Sequence, residues 1–156
     1  MNAVVATVSS HSTVRLNGLR GCPGGSAAGW SWELPHRHDA VGVARSLAAS
    51  VMEDWDMTDD SVDQALLVVS ELVTNALEHA MPPVVLFLDR SRDGMVRVRV
   101  DDGGPSPVEG RWVSSCSREE HGRGQTIIGI LALDQGAGRN SHGATHWAVL
   151  SGPTAA

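Results

Sequence analysis

The sequence predicts an α/β sandwich, in which helices cover one face of a mostly antiparallel sheet. Three observations support this fold class. Short segments that alternate apolar and polar residues predict strands, and segments with apolar residues three or four apart predict helices. These segments follow one another in the order β-α-α-β-β-α-β. A chain of 156 residues is long enough for one domain with a sizeable core.

The N-terminal part of the chain divides into a tail, a strand and a helix. Residues 1–28 are rich in Ser, Gly, Ala and Thr, which predicts a flexible tail before a folded domain at 29–151, with a short C-terminal tail at 152–156. Residues 30–34 alternate and stop at Pro35, as a strand does. We expect Asp39 to cap a helix whose apolar positions are helically spaced: Val41, Ala44, Leu47, Ala48, Val51, Met52 and Trp55. This stripe could be core or a dimer surface, and core is favoured.

The second half of the predicted fold begins with a longer helix. A capping box at residues 61–64 opens it, and Pro82-Pro83 ends it. Residues 84–89 and 95–100 predict a hairpin, in whose second strand three valines alternate with Arg97 and Arg99. Residues 103–123 are irregular and predict a functional lid. A short apolar helix from Ile127 and a closing strand at 144–150 complete the chain.

Composition excludes several functions. The net charge of -6 argues against a nucleic-acid interface, which needs a basic face. We expect neither a membrane span nor a signal peptide, and therefore a cytoplasmic protein, with Cys22 and Cys116 as free thiols. All 12 of the Lys and Arg residues are arginine. The absence of lysine excludes a Walker A loop and a eukaryotic-type protein kinase, since both need one. Phosphate would have to be held by backbone N–H groups, a metal ion or arginine.

Three segments carry residues suited to a magnesium nucleotide. Glu71 and Asn75 are four apart and share one face of the second helix, which suits a pocket wall or a solvated surface. Asp101 and Asp102 end a strand before two glycines, where a carboxylate could bind an exocyclic amine or simply belong to a turn. Residues 122–124, Gly-Arg-Gly, precede the isoleucine-rich helix, whose N-terminus favours phosphate. Arg123 could pair with that phosphate or lie on the surface.

Seven histidines raise the question of a metal site. Two pairs are closely spaced, namely His36 with His38 and His142 with His146. No cysteine or carboxylate stands at a spacing that would complete either set of ligands. Histidines that are solvent-exposed or hydrogen-bonded are therefore the favoured interpretation.

Taken together, the motifs resemble those of a known family. Residues 71–80, ELVTNALEHA, resemble the N-box of the GHKL superfamily of ATPases and kinases. Residues 101–103 resemble its G1 box, residues 122–128 its G2 box, and residues 143–150 the closing strand of the bacterial anti-sigma-factor serine kinases. The resemblance covers about residues 30–150 and implies a Bergerat-type ATP-binding fold.

The resemblance implies a role for each matching residue. Asn75 would bind Mg²⁺ that bridges the phosphates of ATP, and Glu71 would be the general base. Asp101 would bind the adenine amino group, with Thr145 beneath the adenine and near Asp101. Three glycines would let the backbone approach the ligand: Gly103 at the ring, and Gly122 and Gly124 at the phosphates, beside Arg123. Residues 105–121 would be the ATP lid.

The resemblance also implies partners. They would be a sigma factor and an anti-anti-sigma protein with a STAS domain, whose serine is phosphorylated; monomer and homodimer both remain open. One departure bears on activity, because Pro105 stands where the G1 box usually has its second glycine. Pro105 and the short lid favour an inactive regulator that sequesters a partner and keeps nucleotide as a structural ligand. The presence of both Glu71 and Asn75 favours an active kinase.

Overall fold

The computed structural model describes residues 26–105 and 126–152. Its elements are β1 (Ser26–Leu34), α1 (Ala40–Asp54), α2 (Asp59–His79), β2 (Val84–Ser91), β3 (Val96–Asp102), β4 (Asp134–Asn140) and β5 (Gly143–Leu150). Residues 126–131 are also helical. The strands form an antiparallel sheet in the order β1-β2-β3-β5-β4. The predicted α/β sandwich is confirmed.

The helices cover one face of the sheet, and the pattern of β3 shows which. Val96, Val98 and Val100 are fully buried in one core cluster with residues of both helices. Arg97 and Arg99 alternate with them and therefore lie on the other face. There the guanidinium of Arg99 stands 3.8 Å from the centre of the Phe87 ring. The predicted division of this strand into a valine face and an arginine face is correct.

The two long helices lie over different parts of the sheet. α1 packs against β1, at one end, whereas α2 packs against β2, β3 and β5. Val51 of α1 and Trp55, the C-cap of α1, are buried, and Leu47 packs against the core, so this stripe belongs to the core, as expected. Within the part of the chain that the structure describes, no helix is both long and apolar enough to cross a membrane.

The starts of both helices differ in detail from the sequence prediction. α2 begins at Asp59, and its N-cap is Thr58, whose Oγ1 accepts a hydrogen bond from the backbone N–H of Ser61. The predicted capping box at 61–64 therefore lies inside the helix. Asp39 is the N-cap of α1, as expected, but its side chain makes no capping bond. Its carboxylate is held instead by two hydrogen bonds from Arg37.

The strands are longer and more numerous than predicted. β1 begins at Ser26, inside the predicted tail, and β3 runs through Asp102, so both aspartates are strand residues. β4 was not predicted at all, because its sequence, DQGAGRN, has neither alternation nor β-branched residues. It is an exposed strand whose structure comes from pairing with β5. The predicted short helix corresponds to residues 126–131, in which Ile128 is buried and Ile130 is 76% exposed.

Candidate nucleotide site

Glu71 and Asn75 lie on the flank of α2 that faces away from α1. The α1 side is marked by Arg45, which donates hydrogen bonds to the carbonyl of Leu66 and to the hydroxyl of Ser70. Asn75 follows Leu66 by nine residues, or two and a half helical turns, so its side chain lies on the opposite side of α2. Because α1 lies over β1, the Asn75 flank faces the β5–β4 end of the sheet.

The C-terminal end of α2 is fastened to the turn that follows β3. The backbone N–H of Met81 donates to the carbonyl of Gly104 at 2.8 Å, and that of Gly103 donates to the carbonyl of Met81 at 2.6 Å. Asn75 lies about one turn before the end of α2. These bonds therefore place it at the same end of the sheet as Asp102, the last residue of β3.

The two adjacent aspartates of β3 lie on opposite faces of the sheet. Asp102 continues the valine face towards the helices, and its side chain is only 3% exposed. Its Oδ1 accepts a hydrogen bond of 2.8 Å from the backbone N–H of Gly104. Asp101 lies on the arginine face, where its Oδ1 is 3.3 Å from Nε of Arg99. The carboxylate beside the α2 flank is thus that of Asp102, not that of Asp101.

Asp102 also has the free acceptor that a ligand needs. Its Oδ1 is held by Gly104, but no hydrogen bond to Oδ2 is found among the described residues. A carboxylate oxygen of a largely buried side chain can accept a further hydrogen bond when a donor reaches it. The exocyclic amine of adenine is such a donor, so the residues present fit the nucleobase expected from the sequence.

Thr145 lies close to Asp101, as the resemblance implied, but on the far side of the sheet. The two are direct cross-strand partners in the β3–β5 pairing, and both belong to the arginine face. Thr145 is buried there, and its Oγ1 has no hydrogen-bond partner in the described structure. The pair is therefore separated by the sheet from Glu71, Asn75 and Asp102.

Gly103 and Gly104 make the sharp turn after β3 possible. A Cβ on Gly103 would collide with the backbone oxygens of Met81 and Pro82. Gly104 has a φ of +93°, a left-handed conformation that favours glycine. Gly103 thus permits a close approach between the turn after β3 and the chain that follows α2. The approach of its backbone to a purine ring stays a prediction.

Glu71 has the electrostatics of a candidate base. Partial burial raises the pKa of its carboxyl above the ordinary value of 4.5, and the negative charge of Glu78 raises this pKa further. Within the described residues the carboxylate of Glu71 has no hydrogen-bond partner that would lower the pKa again. Its proton affinity is therefore shifted towards the range that general-base catalysis uses.

A histidine that the sequence did not assign to the nucleotide site lies beside Asp102. Nε2 of His146, on β5, is 3.9 Å from Oδ2 of Asp102. His146 pairs with Val100, whose side chain lies on the helix face, so the imidazole lies on that face too. Sequence reasoning missed this proximity, because the signal is the pairing of two strands that are distant in the chain.

A separate cavity lies between the C-terminal half of α2 and the segment that leads into α1. It has a volume of about 240 Å³. It is lined by His36, Arg37, His38, Val41, Thr74, Leu77 and Glu78. Because most of these residues belong to α1 and the segment before it, the cavity is distinct from the Asp102 side. His36 has a partner there, since its Nε2 is 3.2 Å from the carbonyl oxygen of Ala80.

The described residues offer few ligands for the expected magnesium ion. No group of three or more His, Cys, Asp or Glu residues arranged around a common point occurs in residues 26–105 and 126–152. The amide oxygen of Asn75 is thus a single donor. That fits Mg²⁺, which commonly keeps several waters and binds one or two protein groups together with phosphates. Gly122, Arg123, Gly124 and most of the expected lid lie outside the described residues.

Comparison with known proteins decides the family. The sequence profile of the histidine kinase-like ATPase domain matches residues 34–145, which include Glu71, Asn75, both aspartates and the first residues of β5. The chain belongs to the histidine kinase-like ATPase family. None of the curated proteins matches it.

Solved structures agree with this ATPase fold. The crystal structure of the RsbU and RsbW domains of Rv1364c from Mycobacterium tuberculosis matches with a TM-score of 0.64 and 18% sequence identity. The match covers 83% of this histidine kinase-like ATPase chain and 34% of the other chain. This chain therefore spans about a third of that protein, and at this identity the likeness shows the fold.

Proposed function

We propose that the chain is an ATP-binding anti-sigma regulatory factor that phosphorylates a serine or threonine of an anti-anti-sigma, STAS-domain partner. Support comes from the family, and from the fold shared with a solved protein that contains an RsbW domain. The observation that carries the proposal is that Glu71 and Asn75 share the flank of α2 turned away from α1, while Asp102 lies on the helix face of the sheet, beside the turn that is bonded to the end of α2. The proposed location is the cytoplasm.

Each residue has a task in this proposal. Asp102 accepts a hydrogen bond from the amino group of the purine. This role is assigned to Asp102 and not to Asp101, because Asp102 lies on the helix face of the sheet and Asp101 on the arginine face. Asn75 holds Mg²⁺ at the phosphates, and Glu71 takes the proton of the incoming serine hydroxyl. Bound MgATP supplies the phosphoryl group, whose transfer depends mainly on positioning and charge neutralisation.

Titration calorimetry with MgATP tests the nucleotide site. We expect Asp102→Asn to weaken binding at least about tenfold, since a hydrogen bond to a charged acceptor is lost. Asp101→Asn is the matched control and should bind nearly as tightly as the wild-type protein. If Asp101→Asn alone abolishes binding, the assignment of the base-binding carboxylate is wrong.

A phosphotransfer assay tests the kinase. Radiolabelled ATP is incubated with the protein and a STAS-domain protein, and labelled serine is measured. We expect Glu71→Gln to lose transfer and to keep nucleotide binding. Label transfer by this variant at the wild-type rate would contradict the role of Glu71.

The second candidate is a regulator that sequesters its partner without phosphorylating it. Pro105, the departure from the G1 box, forms an isolated antiparallel bridge with Ala80 at the end of α2. The usual glycine would make this backbone contact less rigid. Binding of a sigma factor by the wild-type protein, with no labelled serine at any ATP concentration, would favour this second candidate.

A further inference from the structure

We propose that His146 is a specificity-determining residue of the nucleotide pocket, which together with Asp102 selects a 6-amino purine over a 6-oxo purine. The inference rests on the proposed function, because it concerns the base of the nucleotide that Asp102 binds. It adds a second recognition group from a different strand.

His146 and Asp102 are close to each other without being hydrogen-bonded. Nε2 of His146 and Oδ2 of Asp102 are 3.9 Å apart, which is too long for a direct hydrogen bond. Two polar atoms at this separation can contact neighbouring atoms on the edge of one flat ligand. Oδ1 of Asp102 already accepts a hydrogen bond from the backbone of Gly104, and Oδ2 is the oxygen that faces His146.

The two side chains differ in their exposure to solvent. The side chain of Asp102 is 3% exposed, whereas that of His146 is 42% exposed. The pair therefore consists of a buried carboxylate and a partly exposed imidazole, as expected for two residues at the entrance of a pocket. β4 does not close this opening, since its Ala137, the strand partner of His146, is exposed and has a small side chain.

The two side chains offer one hydrogen-bond acceptor and one donor. Oδ2 of Asp102 accepts, and a neutral imidazole with its proton on Nε2 donates. Adenine presents the complementary pattern, an amino donor beside a ring-nitrogen acceptor. The amide of Asn or Gln reads adenine with this same acceptor and donor. Asp102 and His146 supply the two halves of that pattern from β3 and β5.

The same pair rejects a 6-oxo purine. Its oxygen is an acceptor and would face Oδ2 of Asp102, so that two acceptors would be opposed with no hydrogen between them. If His146 is removed, the site loses one of the two contacts that distinguish the bases. Selectivity should then decrease together with affinity.

The test is calorimetric titration of the full chain with MgATP and with Mg-inosine triphosphate. We expect His146→Ala to weaken ATP binding about 3- to 10-fold, the loss of one hydrogen bond, and to lower the preference for ATP over inosine triphosphate. His146→Gln keeps a donor and should recover part of both. His142→Ala, an exposed histidine in the β4–β5 turn, is the matched control and should change neither.

Analogues of ATP identify the ring nitrogen. If His146 donates to N1 or to N7, the wild-type protein should bind the analogue that lacks this nitrogen, 1-deaza-ATP or 7-deaza-ATP, more weakly than ATP. The His146→Ala variant should bind the same analogue and ATP with equal affinity. The inference is overturned if His146→Ala binds ATP as the wild type does while Asp102→Asn does not. It is also overturned if the variant loses affinity equally for ATP and both analogues. If wild-type protein binds no nucleotide, the proposed function itself fails.

Discussion

Asp101 and Asp102 are consecutive residues whose carboxylates lie on opposite faces of the sheet, one beside Arg99 and the other towards α2. The separation follows from the alternation of a strand, which continues through both residues. A strand that ended at Val100 would have left both carboxylates in a turn. The extension of β3 by two residues therefore decides which of them can meet a ligand under the helices.

The raised pKa of Glu71 predicts the pH dependence of phosphotransfer. Only the ionised carboxylate can accept a proton, so activity should fall on the acidic side at a higher pH than for an ordinary carboxyl. Replacing Glu78 by Gln removes the second cause of the raised pKa, and the acidic limb should move to lower pH. Rates measured across pH, with Glu53→Gln on α1 as the control, check this. An unmoved limb in Glu78→Gln would contradict the coupling.

Glu71 also predicts a stability difference with a defined sign. Because its pKa is higher in the folded than in the unfolded state, ionisation disfavours folding, and stability decreases as pH rises through the folded-state pKa. Glu71→Gln lacks this charge and should be the more stable protein at neutral pH. The difference should disappear below the ordinary pKa of 4.5. Urea unfolding at several pH values measures it, and a difference that grows on acidification would refute the explanation.

The turn after β3 predicts a costly glycine substitution. Gly103→Ala places a methyl group against the backbone oxygens of Met81 and Pro82, and should destabilise the protein by about 1–3 kcal/mol. Gly42→Ala is the matched control, since a Cβ there meets nothing within 4 Å. On an exposed face of α1 it should stabilise by about 0.5–1 kcal/mol. Thermal unfolding distinguishes the two, and equal melting temperatures would argue against this packing.

The start of α2 predicts which hydroxyl caps the helix. Thr58→Ala removes the acceptor for the N–H of Ser61 and should cost about 1 kcal/mol. Ser61→Ala removes the residue that the sequence pattern favoured, and should cost less than about 0.5 kcal/mol. Chemical denaturation of both variants compares them. If Ser61→Ala destabilises the protein more than Thr58→Ala does, Ser61 caps the helix, as the capping box at 61–64 predicted.

These outcomes show where sequence reasoning succeeds and where it does not. Periodicity located α1, α2, β2, β3 and β5, because each buries a regular apolar face. It missed β4, whose exposed Gly-rich sequence becomes a strand only through pairing with β5. The choice between Asp101 and Asp102 could have been read from the chain, since Asp102 continues the even spacing of Val96, Val98 and Val100. The proximity of His146 to Asp102 could not, because it depends on the register between β3 and β5.

That register has a consequence for how the protein acquires its site. β2–β3 and β4–β5 are hairpins, each built from neighbouring stretches of chain, whereas β3–β5 joins segments more than 40 residues apart. Asp102 and His146 lie on the two sides of this junction. We expect the hairpins to form early and the junction late, since long-range pairing bears the larger entropy of loop closure. The base-reading pair would then exist only once the chain has folded completely, and neither hairpin alone would recognise a purine.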